Sequence, residues 1–201
     1  MFKITKNEPK YFTVAKSKIK LPKVKGAWNS KEIMEIRPKL RGDILLEEQN
    51  LLCAYCEKAI DDNPNYSNID HFKTRNLFPE ETLNYENLLV SCNSYNRCSS
   101  FKDKNIKSKD DYKNIINPVV ENPDEYFDYL ITGEIIAKNS KAEFTIYIFQ
   151  LQSEALIESR LQVYEALKHI DNLSVDEICE LFPDYHSFIK SIYPKLKNKE
   201  Q

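Results

Sequence analysis

Two pairs of cysteines, and the residues between them, decide how this chain folds. Residues 53–56 read CAYC, residues 69–72 read IDHF, and residues 92–98 read CNSYNRC. A Cys-x2-Cys turn brings two thiolates onto one tetrahedral ion, and a second close pair downstream can complete a four-thiolate site. The spacing of the second pair is looser than usual, yet the sequence predicts one structural zinc ion with four ligands: Cys53, Cys56, Cys92 and Cys98.

The remaining cysteine, Cys179, brings the total to 5, an odd number that argues against a disulfide framework. It lies in the segment DEICELF, whose helical spacing predicts a buried structural thiol on an apolar face. The first residues, MFKITK, lack the apolar segment of a secretory signal, and no apolar run reaches the roughly 20 residues of a membrane span. We therefore expect a cytoplasmic protein that has no membrane partner.

The composition is that of an ordinary globular protein with few glycines. Of 201 residues, 41% are hydrophobic and 30% are charged, the formal net charge is -2, and only 3 residues are glycine. So few glycines argue against Gly-rich phosphate-binding loops. Lysine is unevenly distributed, with 8 lysines and one acid in residues 1–26 and a second basic stretch over residues 97–113. Each stretch is either solvated surface or a contact for nucleic-acid phosphates.

The N-terminal part of the chain is predicted to combine an extended arm, one helix and a short strand. Residues 1–29 contain prolines and no clear period, which predicts an arm with short strands around residues 11–14. A helix is predicted to begin at Ser30, and Pro38 is expected to kink or divide it. Residues 66–72 have the composition of a strand.

The rest of the chain is predicted to be mainly helical. Residues 102–109 are very polar and predict a loop, and residues 127–137 predict a hairpin that turns at Gly133. Residues 144–151 are compatible with a strand or a helix, and the β-branched and aromatic composition of residues 145–149 favours a strand. Helices are predicted over residues 153–170, from the capping box Ser174-x-x-Glu177 to Pro183, and over residues 186–193.

The order of these motifs resembles that of the HNH endonucleases. That family carries a Cys-x2-Cys, an acid-His pair on a strand, an Asn-Leu after a loop, and a second cysteine knuckle followed by lysine. The corresponding residues here are Cys53 and Cys56, Asp70 and His71, Asn87 and Leu88, and Cys92, Cys98 and Lys102. The resemblance implies an α+β fold with a ββα-metal nuclease core over residues 50–105. A basic arm and helix at 1–49 and a hairpin and helical region at 106–201 would flank it within one integrated domain.

A narrower resemblance covers most of the chain. The segments CAYCE at residues 53–57, DHF at 70–72, NLL at 87–89 and FDYLITGEI at 127–135 are similar to the PtuB-type family. Members of that family are the HNH effectors of Septu and retron-linked anti-phage systems, and they act beside an ATPase of the PtuA type. The resemblance implies an HNH endonuclease that hydrolyses DNA in the bacterial cytoplasm, with DNA and a PtuA-type ATPase as its partners.

The residues between the cysteine pairs suit the hydrolysis of a phosphodiester, which needs an activated water and relief of negative charge. A neutral imidazole can activate the water. Neighbouring residues on a strand point to opposite faces, so Asp70 and His71 need not share a task. The HNH resemblance implies that His71 points at the attacking water, that Asp70 helps to hold a catalytic divalent ion such as Mg²⁺, and that Asn87 orients the His71 ring.

One departure from the HNH pattern leaves the catalytic metal site incomplete. The asparagine that usually follows the last cysteine is Ser99 here. Aligning on Cys98 puts Ser99 at the metal position, whereas aligning on Cys92 puts Tyr95 in place of a cysteine and Asn96 at the metal position. We favour Cys98 because a phenol is a poor substitute for a thiolate. The second oxygen ligand is left open between Asn96, Ser99 and a water molecule. The basic residues expected at nucleic-acid phosphates are Arg97, Lys102 and Lys104.

Two other functions are compatible with the same sequence. A zinc-stabilised nucleic-acid-binding module without catalysis would need neither the Asp70-His71 pair nor Asn87 at its spacing. In a structural or partner-docking protein, the cysteines would serve only to hold the fold together. The helices over residues 153–193 fit the docking of a partner and a cover for the core equally well.

Overall fold

The chain folds into helices arranged around two small antiparallel sheets. The computed structural model describes residues 1–197. In chain order its regular elements are α1 (Lys10–Ser17), α2 (Lys31–Asp43), β1 (Ser67–His71), β2 (Leu88–Cys92), α3 (Cys98–Asn105), β3 (Phe127–Tyr129), β4 (Ile135–Ala137), α4 (Ser140–Phe149), α5 (Glu154–Leu167), α6 (Val175–Leu181) and α7 (His186–Lys197). This mixture of helices and small sheets confirms the predicted α+β class.

Strands β1 and β2 form the hairpin that carries the central motifs. They pair antiparallel, with Asp70 opposite Leu89 and His71 opposite Leu88. Every residue of β2 is buried, because helix α3 and a π-helical turn at Ile44–Glu48 contact it. The buried strand fixes the register of β1, and the predicted strand within residues 66–72 is confirmed.

The N-terminal segment is helical where its sequence predicts short strands. Helix α1 begins after Pro9, and it buries Phe12 and Ala15 beside α2. Residues three apart lie on one face of a helix but on opposite faces of a strand, so only the helix can bury both. Helix α2 runs through Pro38 without division, because this proline lies on the exposed side, where the carbonyl it leaves unbonded can face water.

Helix α4 replaces the strand favoured over residues 145–149. The Asn139 side chain accepts a hydrogen bond from the backbone of Ala142 and so caps the helix. The buried residues recur at helical spacing: Ala142, Thr145, Ile148 and Phe149. Burial of one helical face outweighs the strand preference of the composition. The loop predicted over residues 102–109 is also wrong in part, since α3 continues to Asn105.

The secondary structure predicted for the C-terminal half is otherwise confirmed. Strands β3 and β4 pair as a hairpin, and the Ser174 capping box opens α6. Gly133 has a φ of 87°, and a Cβ there would lie 2.3 Å from the backbone oxygen of Ile157. Only glycine fits, because both the conformation and the close approach of α5 exclude a side chain. The Arg160 guanidinium, buried in α5, donates a hydrogen bond of 2.5 Å to the Gly133 carbonyl.

Three apolar clusters hold these elements together. The largest joins the cysteine region to the C-terminal helices through residues that include Tyr55, Phe72, Phe149, Leu156, Phe188 and Ile192. The second packs the N-terminal helices on β2, through residues that include Phe12, Trp28, Leu40, Leu88 and Val90. The third lies between α5, α6 and α7. Cys179 is only partly buried beside it, whereas the sequence predicts a buried thiol. Within residues 1–197, no helix is both long enough and apolar enough to cross a membrane.

Candidate functional site

The four predicted zinc ligands form one buried cluster. Their sulfur atoms lie within 4.8 Å of one another, with 3.8 Å between Cys53 and Cys98 and 4.0 Å between Cys56 and Cys92. Four thiolates about 2.3 Å from a tetrahedral zinc ion lie about 3.8 Å from one another. The donor type, the burial and the spacing therefore fit a metal ion such as zinc, as the sequence predicts.

Local backbone geometry brings the cysteines together. Cys92 ends strand β2, and its backbone N–H donates to the Cys53 sulfur over 3.3 Å. Cys98 has a φ of 53°, a left-handed conformation that turns the chain into α3 and that few non-glycine residues adopt. Tyr95, which one alignment puts in place of a cysteine, is 80% exposed and takes no part in the cluster.

Asp70 lies at the end of β1 and faces a cleft of about 510 Å³. The cleft is lined by residues that include Lys25, Asp70, His71, Arg75, Asp103 and Lys107. The Asp70 carboxylate accepts a hydrogen bond of 2.5 Å from Tyr55, which lies between the first two cysteines. Burial raises the pKa of Asp70 to about 6, although the nearby Lys102 ammonium lowers it. Lys102 and Tyr55 both favour the ionised carboxylate, and Tyr55 couples it to the cysteine turn.

Lys102 is fully buried beneath the cleft. Its ammonium lies 3.1 Å from Asp70 and 3.0 Å from Asp103. It also donates to the backbone oxygens of His71 over 2.7 Å and Phe72 over 3.0 Å. Burial lowers the pKa of Lys102, but the two carboxylates outweigh burial and raise it. The Lys102 ammonium therefore binds groups inside the protein. The prediction that Lys102 contacts nucleic-acid phosphates at the surface is wrong.

The imidazole of His71 is held in one orientation and one tautomer. Its Nε2 lies 2.9 Å from the backbone oxygen of Thr82, and Trp28 packs edge-on against the ring at 4.6 Å between centroids. A carbonyl oxygen can only accept, so Nε2 carries the proton and Nδ1 keeps its lone pair. Burial, joined by the positive charge of Arg75, lowers the pKa of His71 to about 3, although the hydrogen bond to Thr82 opposes the shift. The ring is neutral at neutral pH.

Asn87 acts on the backbone after His71 instead of on the ring. Its Oδ1 accepts a hydrogen bond of 2.7 Å from the Lys73 N–H, and its Nδ2 donates to the Lys73 carbonyl over 3.0 Å. Nδ2 also donates to the carbonyl of Glu81, the residue before Thr82, over 3.2 Å. Asn87 thus fixes both segments that set the His71 ring, whereas the HNH resemblance implies that it orients the ring itself.

The remaining predicted site residues lie apart from the cleft. Asn96 is exposed and accepts a hydrogen bond from Ser94, and the buried Ser99 is held by its backbone N–H against Ser91. Neither lines the cleft. Lys104 lies over the Tyr95 ring, and Arg97 lies beside the cysteines, where burial lowers its pKa and the thiolates raise it above its ordinary value. These residues surround the second cysteine pair.

Two cleft residues, Arg75 and Asp103, were not predicted from the sequence. Asp103 lies in α3, within the segment whose polarity predicts a loop, so its helical face could not be assigned. Arg75 lies four residues after His71 in an irregular segment, where no periodicity indicates its direction. The only signal for either residue is its closeness in sequence to a predicted site residue.

Comparison with known proteins places these residues in context. No family model matches the chain. The chain is 32% identical over 123 residues to the Septu protein PtuB of Bacillus thuringiensis, a match that covers 59% of this chain and 44% of that relative. The chain thus spans less than half the length of the curated relative that it matches. Its similarity to PtuB proteins of Septu systems, which the cysteine, Asp-His and Asn-Leu motifs predict, is confirmed by this relative.

Proposed function

We propose that this chain is a metal-dependent HNH endonuclease that hydrolyses DNA as the nuclease effector of a Septu-like anti-phage system. The observation that carries the proposal is the placement of Asp70 and His71 in one cleft, at the end of a strand whose neighbours β2 and α3 are joined by the cysteine cluster. The order β1, β2, α3 supports a ββα-metal core. The similarity to PtuB supports the role in defence.

His71 suits the role of the general base. Its ring lines the cleft, and its Nδ1 lone pair is left to accept a proton because Nε2 is engaged with Thr82. A water that gives its proton to Nδ1 becomes a stronger nucleophile toward phosphorus. Trp28 and the Thr82 carbonyl hold the ring still, so little entropy is lost when the water is positioned.

The cleft also offers oxygen ligands to a divalent ion. Asp70 and Asp103 line it, and both carboxylates contact the same Lys102 ammonium, so they lie close to each other. Hard carboxylate oxygens suit Mg²⁺, and the bound ion would relieve charge on the phosphate. Lys102 offsets one of the two negative charges, so we expect the ion to bind weakly until a DNA phosphate adds ligands.

A plasmid-nicking assay tests the proposal. Purified zinc-loaded chain should relax supercoiled plasmid in Mg²⁺ and lose this activity in EDTA or with His71→Ala. His169→Ala is the matched control, because His169 is exposed on the helical side of the molecule and does not line the cleft. Equal cleavage by the His71→Ala variant and the parent would contradict the proposal.

A DNA-binding module without catalysis is the second candidate. The ion pair of Lys102 with Asp70 favours it, because a cation already neutralises the carboxylate that a nuclease would give to its metal. The two candidates differ in one measurement. A binding module would retard labelled duplex DNA in a gel equally well with Asp70→Asn or His71→Ala, and it would never cleave the duplex at any Mg²⁺ concentration.

We also propose that an ATPase of the PtuA type delivers the chain to DNA, because a net charge of -2 gives little long-range attraction for phosphates. The exposed apolar residues Leu161 and Leu181 are candidate contacts on the C-terminal helices. Deleting residues 153–201 would remove core residues such as Phe188, so surface substitutions are the sharper test. Leu161→Lys and Leu181→Lys together should abolish co-purification with the ATPase without changing the melting temperature. Unchanged co-purification would exclude this surface.

A further inference from the structure

Among the arginines, Arg75 is the one that finds no hydrogen-bond or ion-pair partner within residues 1–197. The other arginines all donate to the protein: Arg37 to the Trp28 carbonyl, Arg41 to the Asp62 carbonyl, Arg97 to the Cys92 thiolate, and Arg160 to the carbonyls of Gly133 and Leu151. Within residues 1–197, the Arg75 guanidinium makes no hydrogen bond and no ion pair. It is half-buried, so this charge is partly removed from water without a protein group that compensates for it.

The backbone on either side of Arg75 is held in place, although its guanidinium makes no hydrogen bond within residues 1–197. The backbone N–H of Thr74 donates to the Tyr112 hydroxyl over 3.0 Å, and Phe78 donates back to the Thr74 carbonyl over 2.9 Å. The guanidinium therefore projects from a braced segment into the cleft that Asp70, His71 and Asp103 line.

A structural arginine at this position would be expected to pair with the acids beside it. Asp70 and Asp103 are instead held by Lys102, at 3.1 Å and 3.0 Å. Burial lowers the pKa of Arg75 and the two carboxylates raise it, so they are within electrostatic reach of the guanidinium without being bonded to it. Lys102 therefore holds the two carboxylates, and the Arg75 guanidinium is left to face the cleft.

We propose that Arg75 binds a backbone phosphate of a nucleic-acid strand in this cleft, next to the phosphodiester that the His71-activated water attacks. The guanidinium presents a planar fork of donors that matches two phosphate oxygens, and a partly desolvated fork binds more strongly than an exposed one. Lys25 and Lys107 line the same cleft and extend the positive surface along a strand. The inference rests on the proposed nuclease function for the identity of the strand.

The test measures binding apart from cleavage. All variants are made in the His71→Ala background, and the dissociation constant for a fluorescein-labelled DNA duplex is measured by anisotropy over a range of salt concentrations. Arg75→Gln should weaken binding by about tenfold and reduce the slope of log K against log salt by about 0.9, the loss of one phosphate contact. Arg75→Lys should keep the slope and bind with intermediate affinity, since it keeps the charge and loses the fork.

Arg41→Gln is the matched control, because its guanidinium is bound to the Asp62 carbonyl outside the cleft. Arg75→Gln that binds within twofold of its parent, with the same slope, would overturn the inference, as would equal losses from Arg41→Gln and Arg75→Gln. The proposed nuclease function can fail independently of this inference. If the parent chain never cleaves DNA, while Arg75→Gln weakens binding and Arg41→Gln does not, the phosphate site is supported and the nuclease function is rejected.

Discussion

The most informative test of the cleft's architecture is the replacement of Lys102 by methionine. Methionine keeps most of the side-chain volume and removes the ammonium. The change would leave Asp70 with Tyr55 as its remaining side-chain partner and would take a donor from the buried carbonyls of His71 and Phe72. Breaking a buried ion pair by removing one partner costs about 3–5 kcal/mol.

That cost is large compared with a typical unfolding free energy of about 5–15 kcal/mol. Urea unfolding of zinc-loaded protein at pH 7 should therefore show a clear fall in the midpoint with an unchanged slope. Lys104→Met is the matched control, because Lys104 is exposed in the same helix, and it should cost less than about 0.5 kcal/mol.

The double variant Lys102→Met, Asp70→Asn should recover part of the loss, since it no longer buries an unpaired carboxylate. A cost below about 1 kcal/mol for Lys102→Met alone would refute the conclusion that this ammonium holds the two acids in place. So would a double variant whose cost equals the sum of its two single costs.

Three further predictions follow from other parts of the molecule. Cys98→Ala should lose the bound zinc, measured as metal per chain, and should lower the melting temperature, whereas Cys179→Ala should keep the metal, because Cys179 lies outside the cluster. Asp128→Asn should lower the unfolding free energy by about 0.5–1 kcal/mol, discounted for its exposure, because Lys195 and Ser191 lower the pKa of Asp128 to about 2. The stabilisation by Asp128 is complete above the unfolded pKa of about 3.9 and is lost as the pH falls toward 2. The parent and Asp128→Asn should therefore differ in unfolding free energy by the same amount at pH 7 and at pH 5. A smaller difference at pH 5 would contradict this prediction. Trp28→Ala should loosen the His71 ring and reduce the cleavage rate more than DNA affinity, which a comparison of single-turnover rate with the dissociation constant would show.

The cysteine cluster could be predicted because its ligands lie in two pairs whose members are close in sequence. Cys-x2-Cys fixes two thiolates by a local turn, and a second pair has few ways to complete a tetrahedron. The Asp70-His71 pair and the strand beneath it follow from similarly local signals. Amphipathic spacing also predicts α5 and the capping box of α6, since each depends on residues within a few positions.

What the sequence does not predict depends on contacts between distant residues. The strand composition of residues 145–149 is overridden because one helical face of α4 packs into the core. Lys102 looks like a surface phosphate ligand until the fold places Asp70 and two carbonyls around it. Arg75 lies in the connection between β1 and β2, whereas Asp103 lies in α3. Strand β2 separates them in sequence, and only the tertiary structure shows that they meet in the cleft.

The measurement that tests the central claim most directly is the single-turnover rate of strand cleavage by the zinc-loaded chain in saturating Mg²⁺, for the parent and for His71→Ala. If His71 is the general base, the rate constant should fall by about 10²–10⁴-fold, while the variant stays folded and keeps its bound zinc. A His71→Ala variant that stays folded and metal-loaded, and that cleaves within threefold of the parent, would contradict the claim that this cleft is a nuclease site.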